Sequence, residues 1–440
     1  MWFGANCQIT IVLTGGAAIF LGLSLAWTVV ALVIGLAVGG LFMAFHSAQG
    51  PHLGLPQMIQ SRAQFGFFGA NLPLVITVAM YLGFYAGGAV LGGGALADIT
   101  GVSLEWGIVL VGGGSLLLVL LGYRAIHLFE KIMTVWGLIV FVLLTIGLFV
   151  SAGDSAIVSP EGVGDSAGFV LGPFLLVVAL AAVLLLSYAP YVADYSRYLP
   201  ANTTVRSTFW YTYSGAIGSS LWLMIMGAVL QNRYPNLGVV DQVGHIADQW
   251  GAAFRVLVMV TIIIGIVGIN ALNTYGAFMS SATIVTSFFR KWKPSRHFRL
   301  FYIVPIVAFA TCLAFLQMSN LLDSWQVFLG FLLYFLIPWT AVNLADYYFV
   351  RRGRYAVTEM FDPSGPYGRW NAAGLVSYFA GCLAQIPFLS TSFYTGPAAE
   401  WFDGGDVSWI FGIAVSGLLY ILLASRRQNA TVEPDAKVEE

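Results

Sequence analysis

The chain has 440 residues, of which 59% are hydrophobic and only 9% are charged, and its formal net charge is -1. Soluble globular domains carry roughly 25% charged residues, so this composition excludes an ordinary soluble protein and indicates that most of the chain lies in a membrane. Cys7, Cys312 and Cys382 are far apart in apolar stretches, and the five histidines are scattered. This spacing excludes a zinc site, which needs clustered ligands, and we expect neither a bound metal nor a cofactor.

The apolar runs predict an all-α integral membrane protein of about twelve transmembrane helices, because a spanning helix needs roughly 20 mainly apolar residues. No basic segment precedes the first run, so no cleavable signal peptide is expected. A charged tail at residues 425–440 is expected to be cytoplasmic and disordered. The predicted spans, in chain order, are Trp2–Leu23, Leu25–Phe45, Asn71–Ala95, Glu105–Gly122, Ile132–Ser151, Gly168–Pro190, Phe209–Leu230, Ala252–Gly276, Leu300–Met318, Ser324–Val350, Asn371–Pro387 and Ser408–Ala424.

The basic residues indicate the orientation of these spans. When the spans are threaded in order, all of the 19 Lys and Arg residues except Arg233 and Arg255 fall on one side. Cytoplasmic loops collect basic residues, so the pattern predicts a multi-pass protein of the plasma membrane with both termini in the cytoplasm. It is expected to contact lipid and no nucleic acid, since no other basic patch exists. The sequence leaves the oligomeric state open.

Two predicted spans carry helix-breaking residues at matching places. The first span contains Gly15 and Gly16 among several polar residues, and the sixth contains Pro190, which removes a backbone donor. Transporters with inverted repeats bind substrate where two helices are interrupted near the bilayer midplane. For either span alone, the alternative is a kink without a ligand, since Gly and Pro are common in membrane helices. The predicted layout is a ten-helix core (1–350) of two five-helix repeats (1–152 and 168–350), followed by two extra helices (371–424).

Polar and aromatic residues inside the spans form a candidate substrate site. They are Gln8 in the first span, Tyr81 and Tyr85 in the third, and Asn270 and Asn273 in the eighth. Polar groups at membrane depth are costly and usually functional. Aromatic rings stack on flat ligands and amides pair with donor–acceptor edges, so this uncharged set suits a neutral heterocycle. The alternatives are helix packing for the tyrosines and interhelical hydrogen bonds for the asparagines.

The segment Gly50–Gly66 reads GPHLGLPQMIQSRAQFG and resembles the second inner-loop signature of the purine–cytosine permease group, in the nucleobase:cation symporter family. We call it the signature loop, and we expect it to anchor the fold rather than to contact substrate. Three other segments resemble the group: Trp2–Asn6 (WFGAN), Ala193–Tyr198 (ADYSRY), and Ala345–Tyr347 (ADY) with Arg351 and Arg352.

This resemblance implies the leucine-transporter fold, with ten core helices in an inverted repeat plus two more. It also implies uptake of cytosine, purines or related bases by cation symport. The substrate would lie between helices one, three, six and eight, with Tyr188 as the aromatic residue of helix six. Tyr81 or Tyr85 would contribute from helix three, and Asn270 or Asn273 from helix eight. Allantoin, hydantoin, thiamine or a pyridoxine-like vitamin are alternative substrates within the family.

The coupling cation is predicted to be a proton, with sodium as the alternative. Sodium-coupled relatives place a hydroxyl pair on helix eight, and the comparable stretch Ile264–Ile269 has none. Hard cations want oxygen ligands. No carboxylate falls near a predicted midplane, which leaves Asp194 as the candidate carrier, and a structural pair with Arg197 is its alternative. Relatives carry a cytoplasmic segment before helix one, so whether Met1 is the native start stays open.

Other functional classes lack their signatures in this sequence. A membrane enzyme would need a motif such as HExxH or GxSxG, or clustered acids and histidines. A channel would need a charged or carbonyl ring repeated around a pore. The sequence therefore predicts a transporter and not an enzyme.

Overall fold

The computed structural model describes residues 1–150, 169–289 and 298–425, and the predicted tail lies outside these ranges from position 426 onward. The long elements that it describes are all helices. A π-helical turn, Ala345–Val350, continues the fifteenth of them. The helices are α1 (Trp2–Ala5), α2 (Ile9–Ile19), α3 (Leu25–Ser47), α4 (Gly50–Leu53), α5 (Gln57–Phe65), α6 (Asn71–Thr100), α7 (Leu104–Leu121), α8 (Tyr123–Val150), α9 (Leu171–Leu186), α10 (Ala189–Ser196), α11 (Val205–Arg233), α12 (Val239–Asp248), α13 (Ala252–Phe288), α14 (Phe298–Gln317), α15 (Leu321–Leu344), α16 (Ala372–Gln385) and α17 (Ser408–Ser425).

The longer helices are long enough to span a membrane. Among the described residues, nine helices are long and apolar enough to cross a membrane. Three shorter apolar helices, Ile9–Ile19, Ala372–Phe388 and Ser408–Ala424, lie where the sequence predicts the first, eleventh and twelfth spans. The chain is therefore a multi-pass membrane protein.

Two helices extend well beyond the predicted spans. The helix of the fifth predicted span, α8, begins at Tyr123 rather than at Ile132. The helix of the eighth predicted span, α13, continues to Phe288 rather than ending at Gly276. Hydropathy places charged residues such as Glu130 in a loop. In the structure, Glu130 faces a neighbouring helix instead of water, so the helix continues through it.

The first span is broken, but not at the glycine pair. Gln8, between α1 and α2, has extended backbone (φ -148°, ψ 157°), which any residue can adopt. Gly15 and Gly16 lie inside the continuous helix α2, so the predicted break at these two residues is wrong. Gly15 serves close packing instead, since a Cβ atom there would overlap the backbone of Met224 in α11. Small residues of this kind let helix backbones approach in membranes.

This packing predicts different effects for two neighbouring substitutions. Gly15→Ala is expected to destabilise the protein by about 3 kcal/mol, the upper end of the usual cost of overpacking, because backbone atoms must move apart. Gly16→Ala is the matched control: its new Cβ atom would lie 3.5 Å from the nearest atom, in Gln231, and needs no rearrangement. Thermal unfolding of the purified variants checks this. Equal melting temperatures for the two variants would contradict the packing role of Gly15.

The sixth span is also interrupted, and here the proline lies directly after the interruption. Ser187 and Tyr188 separate α9 from α10. Pro190 occupies the first turn of α10, where a missing backbone N–H costs no helical hydrogen bond. The first and sixth spans therefore each consist of two helices. The joint of the first span is extended at Gln8, whereas Ser187 and Tyr188 keep helical backbone angles and form a turn between α9 and α10.

Candidate functional site

The two interruptions face each other across a hydrogen bond. The Tyr188 hydroxyl donates to Asn6 Oδ1 at 2.5 Å, and Asn6 Nδ2 donates to the carbonyl oxygen of Ala216 in α11 at 3.2 Å. Gln8 Nε2 donates to the Ala5 carbonyl at 3.1 Å. Its Oε1 atom is buried and has no hydrogen-bond partner in the part of the chain that the structure describes. The interruptions thus place a bonded amide, a phenol and a free amide acceptor close together.

An aromatic cluster surrounds these groups. The Tyr188 ring lies 5.6 Å from Trp2, edge to face, and 5.5 Å from Tyr191. Tyr81 of α6 approaches the same Tyr191 ring at 5.6 Å. The Tyr195 ring lies 5.4 Å from the Trp2 ring. We call these five residues the aromatic cluster: Trp2, Tyr81, Tyr188, Tyr191 and Tyr195. It brings together two of the predicted site residues, Tyr81 and Tyr188.

Sequence reasoning did not assign Trp2 and Tyr191 to the site. Trp2 opens the WFGAN segment that resembles the permease group, and Tyr191 follows Tyr188 by three residues. Residues three apart share a helix face, so this spacing is the signal that could have found Tyr191.

Tyr85, in contrast, lies away from the aromatic cluster. Its ring packs in a separate core between α6, α7 and α14, with residues such as Ile108 and Ala310. Its hydroxyl lies beside Gly112 and Thr311. The structure therefore does not bring Tyr85 together with Tyr81, although the two are four residues apart on one helix.

The two asparagines of α13 have different surroundings. Asn270 Nδ2 donates to the Tyr85 carbonyl at 3.1 Å, an interhelical hydrogen bond. Asn273 lies one turn before Gly276, and Gly276 packs directly against the Tyr81 ring. Because residues three apart share a helix face, Asn273 lies on the side of α13 that meets the aromatic cluster.

Asp194 borders this cluster but is already engaged. It lies within electrostatic range of Tyr81 and Tyr191. Its Oδ1 atom accepts a hydrogen bond at 2.8 Å from the backbone N–H of Gln57, the first residue of α5. Arg197 donates to the Asp194 carbonyl and not to its carboxylate. The carboxylate therefore stabilises the start of a signature-loop helix, as side chains at helix N-termini do.

The signature loop itself contacts other helices through buried polar side chains. Gln57 Nε2 lies 3.0 Å from His46 Nδ1 of α3, and Trp339 Nε1 of α15 donates to Ser61 Oγ at 3.0 Å. Gln64 Nε2 donates to Asp346 Oδ2 at 2.7 Å. The partners of these bonds lie outside the aromatic cluster, which supports an anchoring role.

Asp346 is the centre of this buried network. Its side chain is fully buried. In addition to Gln64, its carboxylate accepts from Tyr355 and Tyr420, both at 2.8 Å, and from Arg351 Nε at 3.2 Å. We call these five residues the Asp346 network. It joins the signature loop, the π-helical turn and α17.

A pocket opens on another side of the α1–α2 break, between that break, α8 and α13. Its cavity volume is about 30 Å³, which is room for about two water molecules. Glu130 of α8 lines it, together with Gln8, Cys7 and Thr261. Hydropathy places Glu130 before the fifth span, whereas in the structure it lies within α8, which already begins at Tyr123.

The hydroxyl that α13 contributes to this pocket is occupied. Thr261 Oγ1 donates to the Leu257 carbonyl at 2.7 Å and accepts from Trp136 Nε1 at 2.9 Å. Among the described residues there is also no group of three or more His, Cys, Asp or Glu side chains suited to hold a metal ion.

Across residues 1–412, the chain matches the model of a family described as permease for cytosine/purines, uracil, thiamine, allantoin. The chain belongs to this permease family. Membership confirms the predicted resemblance to the purine–cytosine permease group, and the permease is a transporter rather than an enzyme.

Two curated relatives match this permease along nearly its whole length. It is 42% identical to the candidate purine-cytosine permease YxlA of Bacillus subtilis (strain 168), over 97% of this chain and 92% of that protein. It is 26% identical to the purine-cytosine permease fcyB of Emericella nidulans, over 96% of this chain and 83% of the relative.

Solved structures of Mhp1, a nucleobase-cation-symport-1 family transporter, have a similar fold. The inward-facing conformation matches with a TM-score of 0.75 and 18% identity, over 97% of this chain and 89% of the other. The closed conformation with bromovinylhydantoin bound matches with a TM-score of 0.72 and 17% identity, over 97% and 90%. The leucine-transporter-like helical fold is thereby confirmed, while the exact helix count and the repeat boundaries stay predictions.

Proposed function

We propose that this permease imports a neutral nucleobase of the purine or cytosine class by proton symport across the plasma membrane. Two of its relatives bear the name purine-cytosine permease. The distribution of Lys and Arg favours both termini in the cytoplasm. The ten-helix core at 1–350, with repeats 1–152 and 168–350, would carry the alternating movement, with the helix pair at 371–424 outside it.

The observation that carries this proposal is the aromatic cluster at the two helix interruptions. Tyr81 and Tyr188 offer ring faces, and base–aromatic stacking does not depend on charge. Gln8 Oε1 is a buried acceptor without a partner among the described residues, and Asn273 lies on the adjoining face of α13. Amides of this kind can pair with the donor–acceptor edge of a base.

The same site is poorly suited to a charged substrate. A phosphate ester or a carboxylate would need a cationic partner at this depth. The aromatic cluster holds no Lys or Arg, and the nearby Asp194 carboxylate would repel an anion. A neutral ring is therefore the substrate class that fits.

The pocket chemistry favours a proton over sodium. A hard cation such as sodium prefers several oxygen ligands. The Thr261 hydroxyl already donates one hydrogen bond, to the Leu257 carbonyl, and accepts another from Trp136. Its oxygen is therefore a poor ligand for a cation. Protonation of a carboxyl group, in contrast, needs no ligand shell.

Uptake into liposomes tests the proposed function. The purified permease is expected to accumulate labelled cytosine, adenine or hypoxanthine under an outside-acid pH gradient without sodium. Unlabelled allantoin, hydantoin, thiamine and pyridoxine serve as competitors. Transport of one of these instead of a base would favour the alternative heterocycle class, and accumulation that requires a sodium gradient would contradict proton coupling.

A further inference from the structure

One carboxyl group at membrane depth belongs to neither the aromatic cluster nor the Asp346 network. Glu130 of α8 lines the pocket beside the α1–α2 break. A Cβ atom placed on Gly268 of α13 would lie 2.6 Å from Glu130 Oε1, so the carboxyl group lies directly on that helix. It forms no hydrogen bond or salt bridge with any residue that the structure describes.

The charged groups on the neighbouring helices are remote from this carboxyl group. The helices that pack against α8 are α1, α7, α11, α12 and α13. The charged contact from α11 is that of Arg233, which donates to the Leu148 carbonyl, about 27 Å along α8 from Glu130. Besides Glu130, the titratable side chain that lines the pocket is Cys7 in the α1–α2 break, and its thiol donates to the Phe3 carbonyl. On α8 itself, Lys131 follows Glu130 and is exposed.

Among the side chains that the structure describes, the charged groups of the neighbouring helices lie several helical turns away. Arg255 of α13, which is paired with Asp98, lies about 20 Å from Gly268 along that helix, at 1.5 Å per residue.

The charged groups of α7 and α12 are also distant. Glu105 is in the first turn of α7, and the opposite end of α7, which adjoins α8, is about 24 Å away. On α12, Asp241, His245 and Asp248 belong to a helix that meets α8 at Gly147, about 25 Å along α8 from Glu130.

An ionised carboxylate in such a place is expensive. Charges at membrane depth are tolerated when they pair or face a water-filled cavity. The Glu130 carboxyl group faces a small pocket and pairs with no cationic side chain in the described part of the chain. Protonation of the Glu130 carboxylate removes the cost of a buried charge, and deprotonation restores that cost.

We infer that Glu130 is the group that binds and releases the coupling proton. This inference rests on the proposed function and names the residue that couples it. The carboxylate takes a proton from water on the outside, forming an O–H bond. The bond breaks again when the proton passes to water on the inside, so one proton crosses with each transport cycle.

The α1–α2 break is the element through which this proton and the substrate influence each other. Gly4 of α1 packs on Thr134, one turn after Glu130 on α8. Asn6 in the break holds the Tyr188 hydroxyl of the substrate site. A displacement of α1 therefore changes both sites at once. Two ligands that bias one shared element are coupled, and their coupling is reciprocal.

The experiment compares Glu130→Gln with the wild-type chain in sodium-free liposomes. With labelled cytosine or hypoxanthine, whichever the wild type transports, Glu130→Gln is expected to lose accumulation driven by an outside-acid gradient. It is expected to keep counterflow, the exchange of labelled for unlabelled base without a gradient. A pH dye trapped inside should report acidification on addition of base for the wild type and not for the variant. Glu130→Asp, which retains a carboxyl group, should keep part of the gradient-driven accumulation.

Two further variants make the result specific. Glu105→Gln removes an exposed carboxyl group from α7 by the same substitution and should behave as the wild type. Wild-type accumulation by Glu130→Gln, or its loss in Asp194→Asn alone, would overturn the inference. Retained base-induced thermal stabilisation shows that Glu130→Gln is folded. If the wild type showed no counterflow of any base, the proposed function itself would be overturned.

Discussion

Replacing Tyr188 by alanine is expected to weaken the binding of a nucleobase by about 1–3 kcal/mol, which is roughly a 5- to 150-fold rise in Kd. The ring lies at the interruption of the sixth span, edge to face with Trp2. Its removal takes away a face on which a base can stack. Binding of labelled base to the purified protein, or the shift in melting temperature with base concentration, measures the loss.

Tyr188→Phe is the matched control for this change. It keeps the ring and removes the hydroxyl that donates to Asn6 Oδ1. We expect binding by Tyr188→Phe to fall between the wild type and Tyr188→Ala, because the stacking surface remains while Asn6 loses a partner. An unchanged Kd for Tyr188→Ala, in a protein that binds base, would remove this ring from the substrate site.

Asp346→Ala is expected to produce the largest loss of stability among single substitutions in the Asp346 network. Four donors converge on this carboxylate, and without it Arg351 would be left as a largely buried charge with no acceptor. Breaking a buried ion pair costs about 3–5 kcal/mol, and the lower value applies because Arg351 keeps 19% of its side-chain surface exposed. The melting temperature of the purified protein measures the effect.

Tyr420→Phe separates the hydrogen bonds from the charge. It removes one of the four donors and leaves the ion pair with Arg351 in place, so we expect a loss of about 1 kcal/mol. If Asp346→Ala and Tyr420→Phe melted at the same temperature, the buried charge would contribute little to the stability of the network. Our assignment of Asp346 as its centre would then be wrong.

Composition was enough to predict a multi-pass helical membrane protein, and the loop signature was enough to predict the family. The position of the first break was not predictable in the same way. Glycine pairs serve two purposes in membrane helices, and Gly15 serves close packing against Met224 while Gln8 is extended without any glycine. Only the neighbouring helix distinguishes these uses.

The candidate site shows a second limit of sequence reasoning. Helix periodicity predicts that Tyr81 and Tyr85 lie on related faces, but it does not say which helices those faces meet, and the two rings enter different cores. Glu130 was missed for a related reason: hydropathy counts a carboxyl group as a loop residue, whereas a pocket between helices can hold it.

The close contact between α2 and α11 also divides the first span into two parts with different freedom. Gly15 meets the backbone of Met224, and Gly227 meets that of Val12, so these two helices cannot roll or slide past each other without separating. The four-residue helix α1 has no comparable backbone overlap in the described contacts: Gly4 meets the side chain of Thr134 in α8, and a Cβ atom on Gly215 of α11 would lie 3.6 Å from the Phe3 backbone nitrogen, an ordinary contact. For spectroscopic distance measurements, we therefore expect the α2–α11 pair to serve as the fixed frame of reference and a label on α1 to report on the transport cycle.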